Sequence, residues 1–203
     1  RLFLHEKIHD EMIDRIATKA RQIRIGDPLD DSSQMGPLAT LGQLQNITAT
    51  VANAAANGAT VVHGGQQPAV LEQGWYFEPT IVDCPHQGLD VVRNELFGPV
   101  VSVLTFRDEA EVIRSANDSR FGLAAGVFTR DVGKALRVTK QIRAGIVWVN
   151  TYRMVSPIAP FGGYKDSGWG RESGLDAIYD YTQAKTVWIN TSSDPIADPF
   201  VMQ

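Results

Sequence analysis

VVSVLTFRDEAEVIRSANDSRFGLAAGVFTRDVGKALRVTKQIRAGIVWVN, residues 100–150, is the stretch that decides the fold. It opens with VVSVLTF, a nearly continuous β-branched and apolar run of the kind a strand needs when both its faces are covered. Asp108 then stands where it can cap a helix running to Asn117, and LAAGVF (123–128) is apolar and short enough for a second strand. Asp131 opens another helix, Gly145 closes it, and IVWVN (146–150) is a third strand. The order β-α-β-α-β predicts an α/β fold with a parallel sheet and right-handed crossovers.

Outward from this segment the alternation continues. RLFL at the start is strand-like, and residues 6–24 place Ile8, Met12, Ile16, Ala20 and Ile23 at helical spacing. GDPLDDSSQMGP (26–37) is a loop, a helix follows over 41–57 and ends at Gly58, and ATVVHGG (59–65) is a short strand. KTVWIN (185–190) alternates Val187 and Ile189 with Lys185, Thr186 and Trp188, as a half-exposed strand would, before a proline-punctuated tail. A chain that enters directly on a strand with Arg1 is expected to be the later part of something longer.

The 203 residues suffice for a domain with a core, and 43% hydrophobic with 21% charged residues is a globular balance. A net charge of -4 gives no reason to expect nucleic acid or an anionic membrane as partner. No apolar run approaches the roughly 20 residues of a membrane helix. The one cysteine, Cys84, permits no internal disulfide and suits a reducing compartment, so cytoplasm is expected.

Two motifs carry candidate chemistry. HEKIH (5–9) matches the H-E-x-x-H pattern of zinc peptidases. That site needs both histidines on one helix and a third ligand, whereas His5 falls where the strand gives way to the helix. His63 and His86 lie in separate turn-like contexts, so no metal is expected. RNELFGPVVSV (93–103) is the better signal: Glu95 stands two residues before Phe97, and Gly98-Pro99 leads into the buried strand. A carboxylate there can accept two hydrogen bonds from a vicinal diol and the ring can support a flat heterocycle, although a solvated Glu beside a core Phe has the same spelling. APFGGYKDSGWGRESG (159–174) adds seven Gly and Ser residues around Phe161, Tyr164, Lys165, Trp169 and Arg171. Such glycine density is expected where backbone lies close against another surface or a ligand, or in a plain surface loop.

With these segments together, the chain resembles the aldehyde dehydrogenase superfamily. GDPLDDSSQMGP, NELFGPV, the βαβ stretch ending in AGIVWVN, and PFGGYKDSGWGRE occur in that family's order over residues 1–190. The resemblance implies a catalytic domain with helices on both faces of a parallel sheet over 1–180. An oligomerisation strand would follow over 181–191, making the intact enzyme a homo-oligomer, and a tail over 192–203. It implies oxidation of an aldehyde to an acid with NAD or NADP through a cysteine thioester. Glu95 would bind the nicotinamide ribose and Phe97 would contact the nicotinamide side. Tyr152, Val155, Ile158 and Phe161 would line the substrate tunnel, with Phe161 the best contact. Arg153 could anchor an acidic aldehyde or simply be solvated. The nucleophile would lie a few residues before Arg1, and the general base and cofactor domain further upstream, so the chain alone is expected to be inactive. Cys84 is a poor substitute: Asp83 would raise its pKa and Pro85 has no N–H to donate. A non-catalytic oligomerising or regulatory module, or a related acyl-group reductase, are the alternatives.

Overall fold

The computed structural model describes residues 1–71, 73–194 and 200. Its elements are β1 (Leu2–His5), α1 (His9–Arg21), α2 (Leu41–Ala56), β2 (Thr60–His63), β3 (Thr80–Asp83), α3 (Asp90–Arg93) and β4 (Val100–Phe106). They continue with α4 (Glu109–Asn117), β5 (Phe121–Gly122), β6 (Ala124–Val127), α5 (Val132–Gln141), β7 (Ile146–Val149), β8 (Tyr164–Lys165) and α6 (Ala177–Asp180).

The core is a four-stranded sheet of order β1-β4-β3-β2, covered by helices on both faces. β4 runs parallel to β1 and β3, and β2 pairs antiparallel with β3. Because side chains alternate across a strand, the apolar run of β4 serves two cores at once. Val101 and Val103 join Leu4 and Ile81 under the Ile13, Ala17 and Ala20 face of α1. Val100 and Leu104, with Val82, meet Ile47, Val51 and Ala54 of α2 and Val91 and Val92 of α3. Ser102 is the polar interruption of this strand; it is buried and its hydroxyl donates to Val91 O at 2.6 Å. The burial of Phe77, Ile47, Val82 and Val103 below 2% exposure places the densest packing here.

Side-chain caps explain where the helices begin. Thr40, Asp108 and Asp131 accept from the backbone N–H groups of Gln43, Glu111 and Lys134 at 3.2, 2.8 and 2.9 Å. Gly58 ends α2 with φ +92°.

Three expectations need correction. The helix expected over 6–24 is shorter, since a 3-10 turn over Glu6–Ile8 separates β1 from α1. Its buried face is Ile13, Ala17 and Ala20, while Ile8 and Ile23 lie outside the helix and are exposed. The β-α-β-α-β run does not feed one parallel sheet. β6 and β7 form their own parallel pair through the α5 crossover, β5 pairs with β8, and β4 belongs to the mixed sheet. Residues 185–190 form no strand, and all six are exposed. A strand needs a neighbour for its N–H and C=O groups, and none is offered within the described chain. Of the tail, residues 195–199 and 201–203 lie outside the described residues.

Candidate functional site

The segment from Arg93 to Pro99 leaves α3 and turns into β4, and it is clamped from behind. The side-chain amide of Gln43 donates to Phe97 O, and Gly98 lies so close to Ile47 Cδ1 that a Cβ would overlap it. A glycine is required at that contact because the core leaves no room for a side chain. The turn throws Phe97 into the left-handed region, φ +51°, and leaves the residue 77% exposed. Glu95 is exposed, and its carboxylate makes no hydrogen bond or ion pair with a described residue. The alternative of Phe97 as a core side chain is therefore overturned: the core at this point is filled by Ile47 and Leu38.

The second segment follows β7. Asn150 continues the β6–β7 ladder with its backbone, donating to Val127 O at 2.9 Å. Its side chain then closes a reciprocal pair with Thr129, accepting from Thr129 N and donating to Thr129 O, each at 2.9 Å. The chain turns here with φ +52° at Asn150 and +61° at Arg153. Tyr152 sits edge-on to Trp148 at 5.2 Å, and the Trp148 indole donates to Met154 O at 2.8 Å. Tyr152, Val155 and Ile158 are 62%, 69% and 86% exposed, so this loop presents apolar surface outward. Arg153 is exposed and without an ion pair among the described residues, as both the anchoring and the solvated reading require.

The glycine-rich segment answers which surface its backbone approaches. The Gly162 carbonyl lies against Gly145, at the entry to β7, where a Cβ would overlap it. Phe161, half-buried, exchanges backbone hydrogen bonds with Glu172 at 2.6 and 2.7 Å. Arg171 donates to Gly163 O at 3.1 Å and lies 5.5 Å over the Tyr164 ring. α6 is tied to the same loop through Asp180, which accepts from Arg171 N at 2.8 Å. The backbone thus packs against protein at Gly145, bringing the Phe161 segment beside the strand that leads into the 150–158 loop.

The histidines of HEKIH are engaged separately. His5 Nδ1 accepts from Lys7 N at 3.2 Å and its ring lies edge-on to Phe106 at 5.3 Å. His9 is hydrogen-bonded to Asp10 at 2.9 Å and to Asp83 at 3.2 Å. The bond to Asp10, and after the opposing effect of burial that to Asp83, raises its pKa. Burial, then the neighbouring Asp83, pushes the Cys84 thiol up to about 11, so it stays protonated at neutral pH. A cavity of about 380 Å³ lies beside it, lined also by Asp83, Pro85, His86 and Glu111.

Sequence reasoning did not single out Asn117, Asn150 or Lys165 as organisers. Among the described residues all five non-glycine positive-φ positions, Phe97, Asn150, Arg153, Lys165 and Ser173, fall in these candidate segments. Only an Asn directly after a strand, as at Asn150, is a signal that a sequence could have offered.

Comparison with known proteins agrees with this architecture. Residues 1–187 match the aldehyde dehydrogenase family, and the chain belongs to it. It is 48% identical over its full length to (Z)-2-((N-methylformamido)methylene)-5-hydroxybutyrolactone dehydrogenase of Acinetobacter baylyi, covering 41% of that protein. It is 45% identical to betaine aldehyde dehydrogenase of Brucella anthropi, over 93% of this chain and 39% of that one. Among solved structures, a putative aldehyde dehydrogenase from Burkholderia cenocepacia superposes with a TM-score of 0.92 at 41% identity, over 98% of this chain and 41% of that one. The NAD+ complex of aldehyde dehydrogenase from Bacillus cereus superposes with a TM-score of 0.89 at 38% identity, over 94% and 38% of the two chains. The chain therefore spans about two-fifths of the length of these relatives.

Proposed function

We propose that these residues are the later, catalytic-domain portion of an NAD(P)-dependent aldehyde dehydrogenase subunit that oxidises an aldehyde to a carboxylic acid. The carrying observation is the 95–98 turn, in which a carboxylate with no partner among the described residues and an outward ring stand on backbone clamped by Ile47 and Gln43. Backbone held this firmly adds little ordering cost when the Glu95 and Phe97 side chains meet a ligand. They fit a nicotinamide nucleotide: Glu95 has both oxygens free for the two hydroxyls of a ribose, and the exposed face of Phe97 can lie beside a flat ring. When bound, that cofactor supplies the hydride acceptor.

On the aldehyde side, Tyr152, Val155, Ile158 and Phe161 form one apolar wall of the substrate passage and exclude water from it. The nucleophilic cysteine, which forms a thioester with the substrate, belongs to the segment before Arg1, and the general base to the cofactor domain. Residues 181–191 pair with a neighbouring subunit in a homo-oligomer, which supplies the strand edge that the single chain lacks. The compartment is the cytoplasm. Support comes from the family match, the NAD+ complex of a relative, and the relatives' names as dehydrogenases, one of them of betaine aldehyde.

The test is nicotinamide reduction by the full-length subunit and by the 203-residue chain, with a panel of aldehydes and with NAD+ and NADP+. The full-length subunit turns over and the short chain does not. In the full-length subunit, Glu95→Gln raises the KM for the nucleotide by roughly tenfold, as loss of charge-assisted hydrogen bonds requires. Turnover by the short chain, or indifference to Glu95→Gln, contradicts the proposal.

A further inference from the structure

We propose that the turn closing α4, Asn117–Arg120, is a positioning junction that sets the aldehyde-side loop and the cofactor-side segment against one another, with Lys165 as its central positioning residue. The inference rests on the functional assignment above and adds a residue set to it.

A helix ends with carbonyl groups that lack partners within the helix, and water or the following turn ordinarily satisfies them. At the end of α4 two cations from distant parts of the chain do so. Arg1 donates to Ser115 O, Ala116 O and Asp118 O at 3.3, 2.9 and 3.2 Å. Lys165 donates to Asn117 O and Ser119 O, both at 2.9 Å. Every carbonyl from Ser115 to Ser119 is thus held by one of these two side chains. Both cations also complement the negative end of the helix.

Apart from Arg1, the segments that reach this turn carry a candidate site or lead into one. Lys165 lies four residues beyond Phe161 and holds φ +55°, a conformation that the local chain does not favour and the two hydrogen bonds support. The strand pair β5–β8 and the hydrogen bond from Gly122 N to Ser167 Oγ at 2.9 Å extend the attachment. Asp118 accepts from Arg93, two residues before Glu95, at 3.3 Å to each carboxylate oxygen. A cavity of about 140 Å³ lined by Arg1, Arg93, Asn94 and Asp118 marks the same meeting point. Asn117 ties in the approach to the third segment: its side chain donates to Gln141 O at 2.8 Å and accepts from Arg143 N at 2.7 Å, just before β7. A cap needed for helix stability alone would not require four segments of separate sequence origin.

The two arms separate kinetically. In the full-length subunit, Lys165→Met raises the aldehyde KM by roughly tenfold while the nucleotide KM stays within roughly twofold, because the apolar wall moves and the 93–98 segment does not. Lys165→Arg, which keeps donors at the turn, restores most of the difference. Asp118→Asn shows the opposite split, raising the nucleotide KM. Hydrogen exchange gives a readout independent of turnover: Lys165→Met speeds exchange at the Phe161, Asp166 and Glu172 amides and leaves those of α1 and α2 protected. Equal effects of both substitutions on both KM values, or a lower Tm with unchanged KM values and unchanged exchange, overturns the junction. An inactive unsubstituted subunit overturns the functional assignment instead, and exchange in Lys165→Met still decides whether Lys165 holds the loop.

Discussion

The carbonyl of Gly162 rests against the α-carbon of Gly145, filling the space a side chain would occupy. One residue comes from the turn into β7 and the other from the glycine-rich loop, so this contact sets how closely the loop approaches the β6–β7 pair. Gly145→Ala forces the two backbones apart. The expected cost is about 1–3 kcal/mol, as for other overpacked contacts, with a fall in Tm of roughly 3–10 °C for a chain of this size. Thermal unfolding of the variant checks it, and an unchanged Tm would show that the loop does not lie on Gly145.

Gly98 and Ile47 make the corresponding contact under the candidate cofactor turn. The atom that a Cβ at Gly98 would meet is Ile47 Cδ1, the one Ile47→Val removes. Gly98→Ala is expected to cost about 1–3 kcal/mol and Ile47→Val about 1 kcal/mol. The double variant should be more stable than the sum of the two costs requires. Urea unfolding of the three variants measures the coupling; strict additivity would place the turn elsewhere.

His9 links pH to stability. Its folded-state pKa is raised by Asp10 and Asp83, so protonation favours the folded chain. That contribution is complete below the unfolded value, about 6.5, and is lost as pH rises through the higher folded value. Denaturation midpoints of wild type and His9→Gln should therefore differ more at pH 5.5 than at pH 8.5. An NMR titration of the His9 ring with a midpoint below the unfolded value would contradict the assignment.

Cys84, with its thiol raised to about 11 and its side chain buried, should react slowly with a disulfide reagent at pH 8. Denaturant should release it to the rate of an ordinary cysteine. In the full-length subunit Cys84→Ser is expected to leave turnover intact. Fast labelling of the folded chain, or loss of turnover in Cys84→Ser, would return this thiol to consideration as a nucleophile.

What the sequence determined by itself was local. Hydrophobic period and caps at Asp108 and Asp131 specify which segments become helices and strands, because both are set by neighbours within a few residues. The apolar run of β4 specified a strand covered twice, and the motif series specified the family. The tertiary structure decided what depends on residues far apart in the chain. Strands with the same local pattern were distributed over separate sheets, since pairing is chosen by the edges that meet and not by propensity. Phe97 was turned outward because Ile47 and Leu38 already occupied the space beneath it. Lys165, one charged residue in a glycine-rich run, acquired its role only when folding brought the end of α4 within 2.9 Å of its ammonium group. Nothing within a few residues of Lys165 encodes that carbonyl array; it exists only once α4 and the loop have met.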